Sequence, residues 1–211
     1  MNTSHYIIAK EGWLFLGLSL IISLSLTYIQ NPFCWLAWMI TIFILQFFRD
    51  PPRIKPSTQN AVLSAADGKV IAIEKIKDPY RNIDSIKVSV FMNVFNVHSN
   101  KGPVDGKILD KFYFPGKFLN AALSKASLEN ERCAITIKTK NGTIITCVQI
   151  AGLIARRILC YKEKNDEIMA GERYGFIRFG SRVDLYLPTN ASIKVNLGQA
   201  VKNTETIIAT I

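Results

Sequence analysis

From Gly12 to Phe48 the chain reads GWLFLGLSLIISLSLTYIQNPFCWLAWMITIFILQFF, without one charged residue. A membrane-spanning helix needs about 20 apolar residues, and this run holds nearly two such lengths. Asn31-Pro32 divides it, and that pair favours a turn. The pattern predicts a helical hairpin, with one segment near 12–29 and a second near 33–48. Lys10 precedes the first segment, and Arg49, Arg53 and Lys55 follow the second. With two spans both basic flanks share one side, which positive charge assigns to the cytoplasm. Each segment is short for a complete span, so a hairpin dipping into one leaflet fits as well. The run is too long for a cleavable signal peptide, and no small-residue cleavage site follows it. The expectation is a protein of the inner cell membrane with the rest of the chain on the cytoplasmic side.

Arg49-Asp50-Pro51-Pro52-Arg53 marks a boundary, because paired prolines stop a helix and extend the chain. It separates a membrane-associating hairpin over 1–50 from a domain over 51–211. The formal net charge of +10 asks for an anionic partner. Acidic lipid suits the apolar run; nucleic acid does not, since the basic residues are dispersed and lack an aromatic stacking pattern. Beyond the boundary β signals dominate. Residues 85–92 and 133–138 alternate, and Asn141-Gly142 leads into TIITCVQI, a hairpin signal whose turn positions tolerate positive φ. Residues 192–197 and 206–211 close the chain as short strands. The predicted fold class is mainly β, a barrel- or sandwich-like domain behind an N-terminal hydrophobic helical hairpin. Ala66-Asp67-Gly68-Lys69-Val70 is echoed by Val104-Asp105-Gly106-Lys107-Ile108. Two ordinary Asp-Gly turns would give that echo, and so would a duplicated small β unit. Only residues 117–132 lack strand character, reading as a short helix or a mobile loop.

Cys34, Cys133, Cys147 and Cys160 form no CxxC pair, and a cytoplasmic domain keeps its thiols reduced, so neither a metal site nor a disulfide is expected. His98 is the only histidine of the second domain, hence the one imidazole available there for acid-base work near neutral pH. In RFGSRVDLY, residues 178–186, Gly180-Ser181 interrupts a strand pattern. A bulge would explain it. So would chemistry of the chain on itself, because a glycine lets the following serine oxygen swing back onto the preceding carbonyl.

Seven collinear segments carry a resemblance: FFRDPPR (47–53), SAADGKV (64–70), FNVHSNKGPVDGKI (95–108), GKFLNA (116–121), LENER (128–132), QIAGLIARRI (149–158) and GERYGFIRFGSRVDLYLP (171–188). Together they resemble the short microbial form of the phosphatidylserine decarboxylases, from about residue 47 to the last residue. The resemblance implies a pyruvoyl enzyme that cuts itself between Gly180 and Ser181 into a β chain, 1–180, and an α chain, 181–211. Ser181 would attack the Gly180 carbonyl and, after elimination and hydrolysis, become the covalent pyruvoyl cofactor. His98 matches the base of that step and Asp67 the acid that orients it, with Asp105 as runner-up. The pyruvoyl carbonyl would form a Schiff base with the amine of phosphatidylserine, and loss of carbon dioxide would give phosphatidylethanolamine. Its partners would be that lipid, the membrane and the two chains of one precursor. Two departures stand out. The chain has Phe-Gly-Ser-Arg where many relatives have Leu-Gly-Ser-Thr, placing Arg182 where it could touch phosphate or carboxylate. Phe95 stands where larger relatives have a second histidine, which leaves His98 or a water as proton donor in decarboxylation. Arg156-Arg157 could meet the lipid phosphate or simply face solvent, and residues 117–132 could cover the headgroup. A related serine phospholipid is the alternative substrate. A membrane-anchored β-domain that only binds or scaffolds, or a lipoyl-type carrier, is the alternative function.

Overall fold

The computed structural model of the chain describes residues 7–122, 129–152, 157–178 and 181–211. The chain divides into two compact units, Met1–Pro52 and Arg53–Ile211.

In the first unit a 3-10 turn at Lys10–Gly12 leads into α1 (Trp13–Tyr28), and α2 (Cys34–Phe47) returns. The break falls at Asn31, whose side chain accepts the Phe33 N–H at 2.9 Å and so closes an Asx turn. Both helices are apolar around their whole circumference: Leu14, Ile21, Trp35 and Ile42 are all exposed. A helix of that kind belongs in apolar surroundings. Its hydroxyls behave accordingly. Ser23 and Thr27 donate to carbonyls one turn back, Ser23 and Thr41 meet between the helices at 3.0 Å, and the Trp38 indole donates to Thr27 at 3.1 Å. Polar groups satisfied inside the hairpin are what a hydrocarbon environment requires. Residues 10–28 are long and apolar enough to cross a membrane, with a mean hydropathy of 1.4; Cys34–Phe47 is shorter.

The second unit is built from strands. They are β1 (Ala61–Leu63), β2 (Gly68–Asp78), β3 (Ile83–Met92), β4 (Ser99–Lys101), β5 (Gly106–Phe114), β6 (Arg132–Thr139) and β7 (Ile144–Ala151). After them come β8 (Ile158–Cys160), β9 (Glu167–Ile168), β10 (Arg173–Ile177), β11 (Ser181–Pro188), β12 (Ser192–Ile193), β13 (Ala200–Val201) and β14 (Ile207–Thr210). Eight of them form one curled antiparallel sheet in the order β13-β2-β3-β11-β7-β6-β5-β9. Two three-stranded sheets, β1-β14-β12 and β4-β10-β8, complete it. Alternation decides the faces. Val183, Leu185 and Leu187 of β11 join Val88, Val90, Ile135 and Cys147 in the main core, while Tyr186 packs on the other face with Val148, Ile150, Tyr80 and Phe112.

The Asp-Gly echo is structural. Gly68 and Gly106 each open a long strand, and each strand slips register at the same place, between Val70 and Ala72 and between Ile108 and Asp110. Gly68-Lys69 pairs with β13 as Gly106-Lys107 pairs with β9. Asn203 N–H donates to Asp67 at 2.9 Å, and Ala170 N–H donates to Asp105 at 2.7 Å. Thr204 and Gly171, the next residues, both have positive φ, 66° and 82°. Ile211 N–H reaches the Asn60 carbonyl as Ile177 N–H reaches that of His98, at 3.1 and 3.4 Å. One copy is therefore β4–β10, continuous in sequence. The other is β1–β3 plus β11–β14, and the continuous copy is inserted into it. The continuous copy joins β6 to β7 by a turn at Asn141-Gly142, as the sequence predicts; the interrupted copy holds Met92 opposite Ser181 with the whole insert between them.

Residues 192–197 were expected as one strand, but pairing stops at Ile193. Asn196 N–H donates to the Gln199 side chain at 2.9 Å, closing a turn that delivers the chain to β13. Residues 117–122 are irregular apart from an isolated bridge between Lys117 and Asn130, and residues 123–128, where the short helix or mobile loop was expected, lie outside the described residues.

Gly68 fixes the start of β2. Its φ is 152°, and a Cβ there would lie 2.0 Å from the Phe91 carbonyl oxygen. Gly68→Ala should cost about 3 kcal/mol, lowering the thermal midpoint of the detergent-solubilised protein by roughly 6–12 °C. An unchanged midpoint would contradict the close approach.

Candidate active site

Ser181 begins β11 with Met92 opposite on β3 and Ala151 opposite on β7. It lies on the core face and is fully buried. Its hydroxyl oxygen has no hydrogen-bond partner among the described residues. A buried hydroxyl without a partner is costly, so this position is not chosen for stability. Phe179 and Gly180 lie outside the described residues.

Beyond Met92 the chain turns back through residues 93–96. The Asn93 N–H donates to the Asn96 side chain and the Phe95 N–H to the Asn93 side chain, both at 2.9 Å. This clasped turn leads to His98, which is fully buried. Its Nδ1 lies 2.9 Å from the Asn96 carbonyl oxygen. A carbonyl can only accept, so Nδ1 carries the proton in that bond and Nε2 is the basic nitrogen of the neutral ring. One strand pairing and one side-chain hydrogen bond bring His98 to the corner of Ser181. Ser99 pairs with Phe176 of β10, the strand that runs toward residue 181. Asn100 accepts from Gln149 of β7 at 2.8 Å, two residues before Ala151.

Asp67 sits in the loop before β2 and is 7% exposed. Arg53 grips its carboxylate with both guanidinium ends, one at 2.7 Å, and the Asn203 N–H binds it at 2.9 Å. Asn203 in turn donates its side-chain amide to the Ser99 carbonyl at 3.2 Å, next to His98. Asp67 is thus linked to the histidine's strand through Asn203. Asp105, its equivalent in the other copy, is exposed and bridges to Lys55 at 3.6 Å.

The repeat yields a second corner, where a cavity of 260 Å³ is lined by Asn60, Asp105, Thr143 and Ala170 among others. By register Asn60 occupies the place of His98, and Gly142-Thr143 that of Gly180-Ser181. An amide cannot take up a proton at neutral pH. Among the described residues, only the corner of Ser181 and Asp67 has an imidazole as well.

Arg182 does touch a carboxylate, but it is that of Asp184: Nε and Nη2 meet its oxygens at 2.6 and 2.7 Å, with both residues buried. Burial opposes the guanidinium's charge, and Asp184 outweighs it, raising the Arg182 pKa. Arg156 lies outside the described residues. Phe95 is 64% exposed at the clasped turn. Among the thiols, burial pushes Cys147 up to about 12, whereas a hydrogen bond from Cys133 draws Cys160 down to about 7. Arg53, Asn203 and Asn130 escaped the sequence reading. RDPPR and LENER contain two of them, but nothing in a linear pattern names a partner 11 or more residues away.

The family model for phosphatidylserine decarboxylase matches residues 40–209. Relatives named phosphatidylserine decarboxylase proenzyme are similar along their whole length. The protein from Nitrosomonas eutropha is 51% identical over 99% of both chains. That from Cupriavidus pinatubonensis is 55% identical over 99% of this chain and 97% of its own, and that from Ralstonia pickettii 54% over 97% and 96%. A match of this extent, over a chain that folds as two interlocked β copies with one complete corner, shows that the chain belongs to the phosphatidylserine decarboxylase family.

Proposed function

We propose that the chain decarboxylates phosphatidylserine to phosphatidylethanolamine, using a pyruvoyl group that it makes from Ser181 by cutting the Gly180–Ser181 bond. The observation that carries this reading is the fully buried Ser181 hydroxyl at a strand start, in the corner of the only histidine among the described residues. His98 Nε2 takes the hydroxyl proton as Ser181 Oγ attacks the Gly180 carbonyl, and the peptide nitrogen leaves protonated, giving an ester. Loss of the Ser181 α-proton then expels the Gly180 carboxylate. Hydrolysis of the resulting dehydroalanine releases ammonia and leaves a ketone at residue 181. The residues suit such a group: a small residue with a spare oxygen, walled by β3 and β7 and shielded from water. Once formed, the pyruvoyl carbonyl supplies the electron sink for decarboxylation.

The other residues position. The Asn96 carbonyl holds the His98 tautomer with Nε2 basic. Asp67 acts one step further out, fixing Asn203 and through it the strand that carries His98. Arg53 balances the Asp67 charge in the buried site. The hairpin of residues 10–47 keeps the domain at the membrane in which the substrate's acyl chains remain, with the domain on the cytoplasmic side. The surplus of ten positive charges favours an anionic lipid surface.

Ser181→Ala removes the nucleophile and should give one uncut, folded chain on a denaturing gel, with no decarboxylation of phosphatidylserine vesicles. Cleavage of that variant would place the scission elsewhere. The two acids should separate as their surroundings do. Asp67→Asn should slow self-cleavage by about 10²-fold, within the usual range for a disturbed acid-base group. Asp105→Asn should be cut at the wild-type rate. Time courses of cell-free translation products read both rates, and the opposite order would move the role to Asp105.

A further inference from the structure

The two copies differ most in one connection. β2 and β3 are joined by residues 79–82, whereas β5 and β6 are joined by residues 115–131. The longer connection lies at the end of the sheet where Ala151 faces Ser181, since Arg132 pairs there with both Phe114 and Ile150. One side chain holds its described part. Asn130 is fully buried, and its Oδ1 accepts the Leu119 N–H at 2.9 Å. Its Nδ2 donates to the Leu119 carbonyl at 2.8 Å and to the Ala151 carbonyl at 2.7 Å. Carbonyl oxygens only accept, so the amide orientation is fixed and both Nδ2 hydrogens are used. Gly116 lets the segment approach, because a Cβ there would meet the Asn130 backbone at 2.5 Å. On the neighbouring strand Arg182, held by Asp184, directs Nη1 at the Ala121 carbonyl at 3.5 Å.

We propose that Asn130 and the Arg182–Asp184 pair are positioning residues forming a latch that keeps residue 181 in place after the chain is cut. The inference rests on cleavage at Gly180–Ser181. Before the cut, residue 181 is held covalently from its N-terminal side. Afterwards it is a chain end, and chain ends fray unless tied down. The latch acts from both sides, Asn130 through Ala151 opposite, and Arg182 through the peptide that follows. A buried ion pair is weak evidence for stability, but it fixes a backbone well. Misplacing a reacting group by about 1 Å can cost about 10²-fold in rate.

Two variants test this: Asn130→Ala, and Arg182→Met with Asp184→Leu, replaced together so that no buried charge is left alone. Each is made in the wild type and in the Ser181→Ala chain, which stays uncut. The latch predicts cleavage within about threefold of wild type, kcat lowered about tenfold or more and KM changed less than about twofold. Amide exchange over residues 182–185 should speed up about tenfold in the cut protein and not in the uncut one. Equal acceleration in the uncut chain, an unchanged kcat, or loss of cleavage in both variants would overturn the latch. A wild type that runs uncut would overturn the cleavage reading and the latch with it, and the gel shows that before any variant is measured.

Discussion

β11 is hydrogen-bonded along both edges, to β3 over Ser181–Pro188 and to β7 over Ser181–Tyr186. Everything else in the second unit is arranged around that strand. It is the middle of the eight-stranded sheet, its odd residues enter the core, and its first residue is the candidate nucleophile. A strand paired on both sides does not depend on the peptide bond that precedes it. β12, β13 and β14 likewise pair within their own copy, with β14 between β1 and β12 and β13 on β2. Residues 181–211 are thus bound to the rest by three strands, β11, β13 and β14, and a shared core. On the proposed reading, the fold tolerates a cut at Gly180–Ser181 for this reason.

The duplication gives the cut its place. In the continuous copy a tight turn at Asn141-Gly142 joins β6 to β7. In the interrupted copy the corresponding strands β3 and β11 meet at Met92 and Ser181 with no turn between them, because the other copy has been inserted there. The Gly-Ser bond is the exit from that insert. The two corners have diverged in charge as well as in connection. One holds a buried Asp67, clamped by Arg53 and linked through Asn203 to Ser99, and a buried histidine; the other holds an exposed Asp105, an asparagine and a threonine.

Local signals were legible in the sequence. The uncharged run and its Asn31-Pro32 break gave both helices nearly to the residue, and alternation with Asn141-Gly142 gave β3, β6, β7 and their hairpin. The Asp-Gly echo pointed to the repeat, although its interrupted order is a matter of pairing that no linear pattern contains. The early end of pairing at Ile193 was not legible in SIKVNL, since it depends on a turn closed by the Gln199 side chain. The site was half legible. Ser181 and His98 stand out by type and setting, and Asp67 came from the resemblance. Arg53, Asn203 and Asn130 are ordinary polar residues whose roles arise only from long-range contact, such as Asn203 with Asp67 across 136 positions.

The central claim is that the working protein is two chains with a ketone in place of Ser181. An intact-mass spectrum of the purified wild-type protein under denaturing conditions tests it directly. The account predicts a fragment of residues 1–180 ending in a free carboxylate, and a fragment of 181–211 lighter by one ammonia than the peptide beginning with serine. A single mass for the uncut chain, or a 181–211 fragment that retains its serine amine in an active preparation, would contradict it.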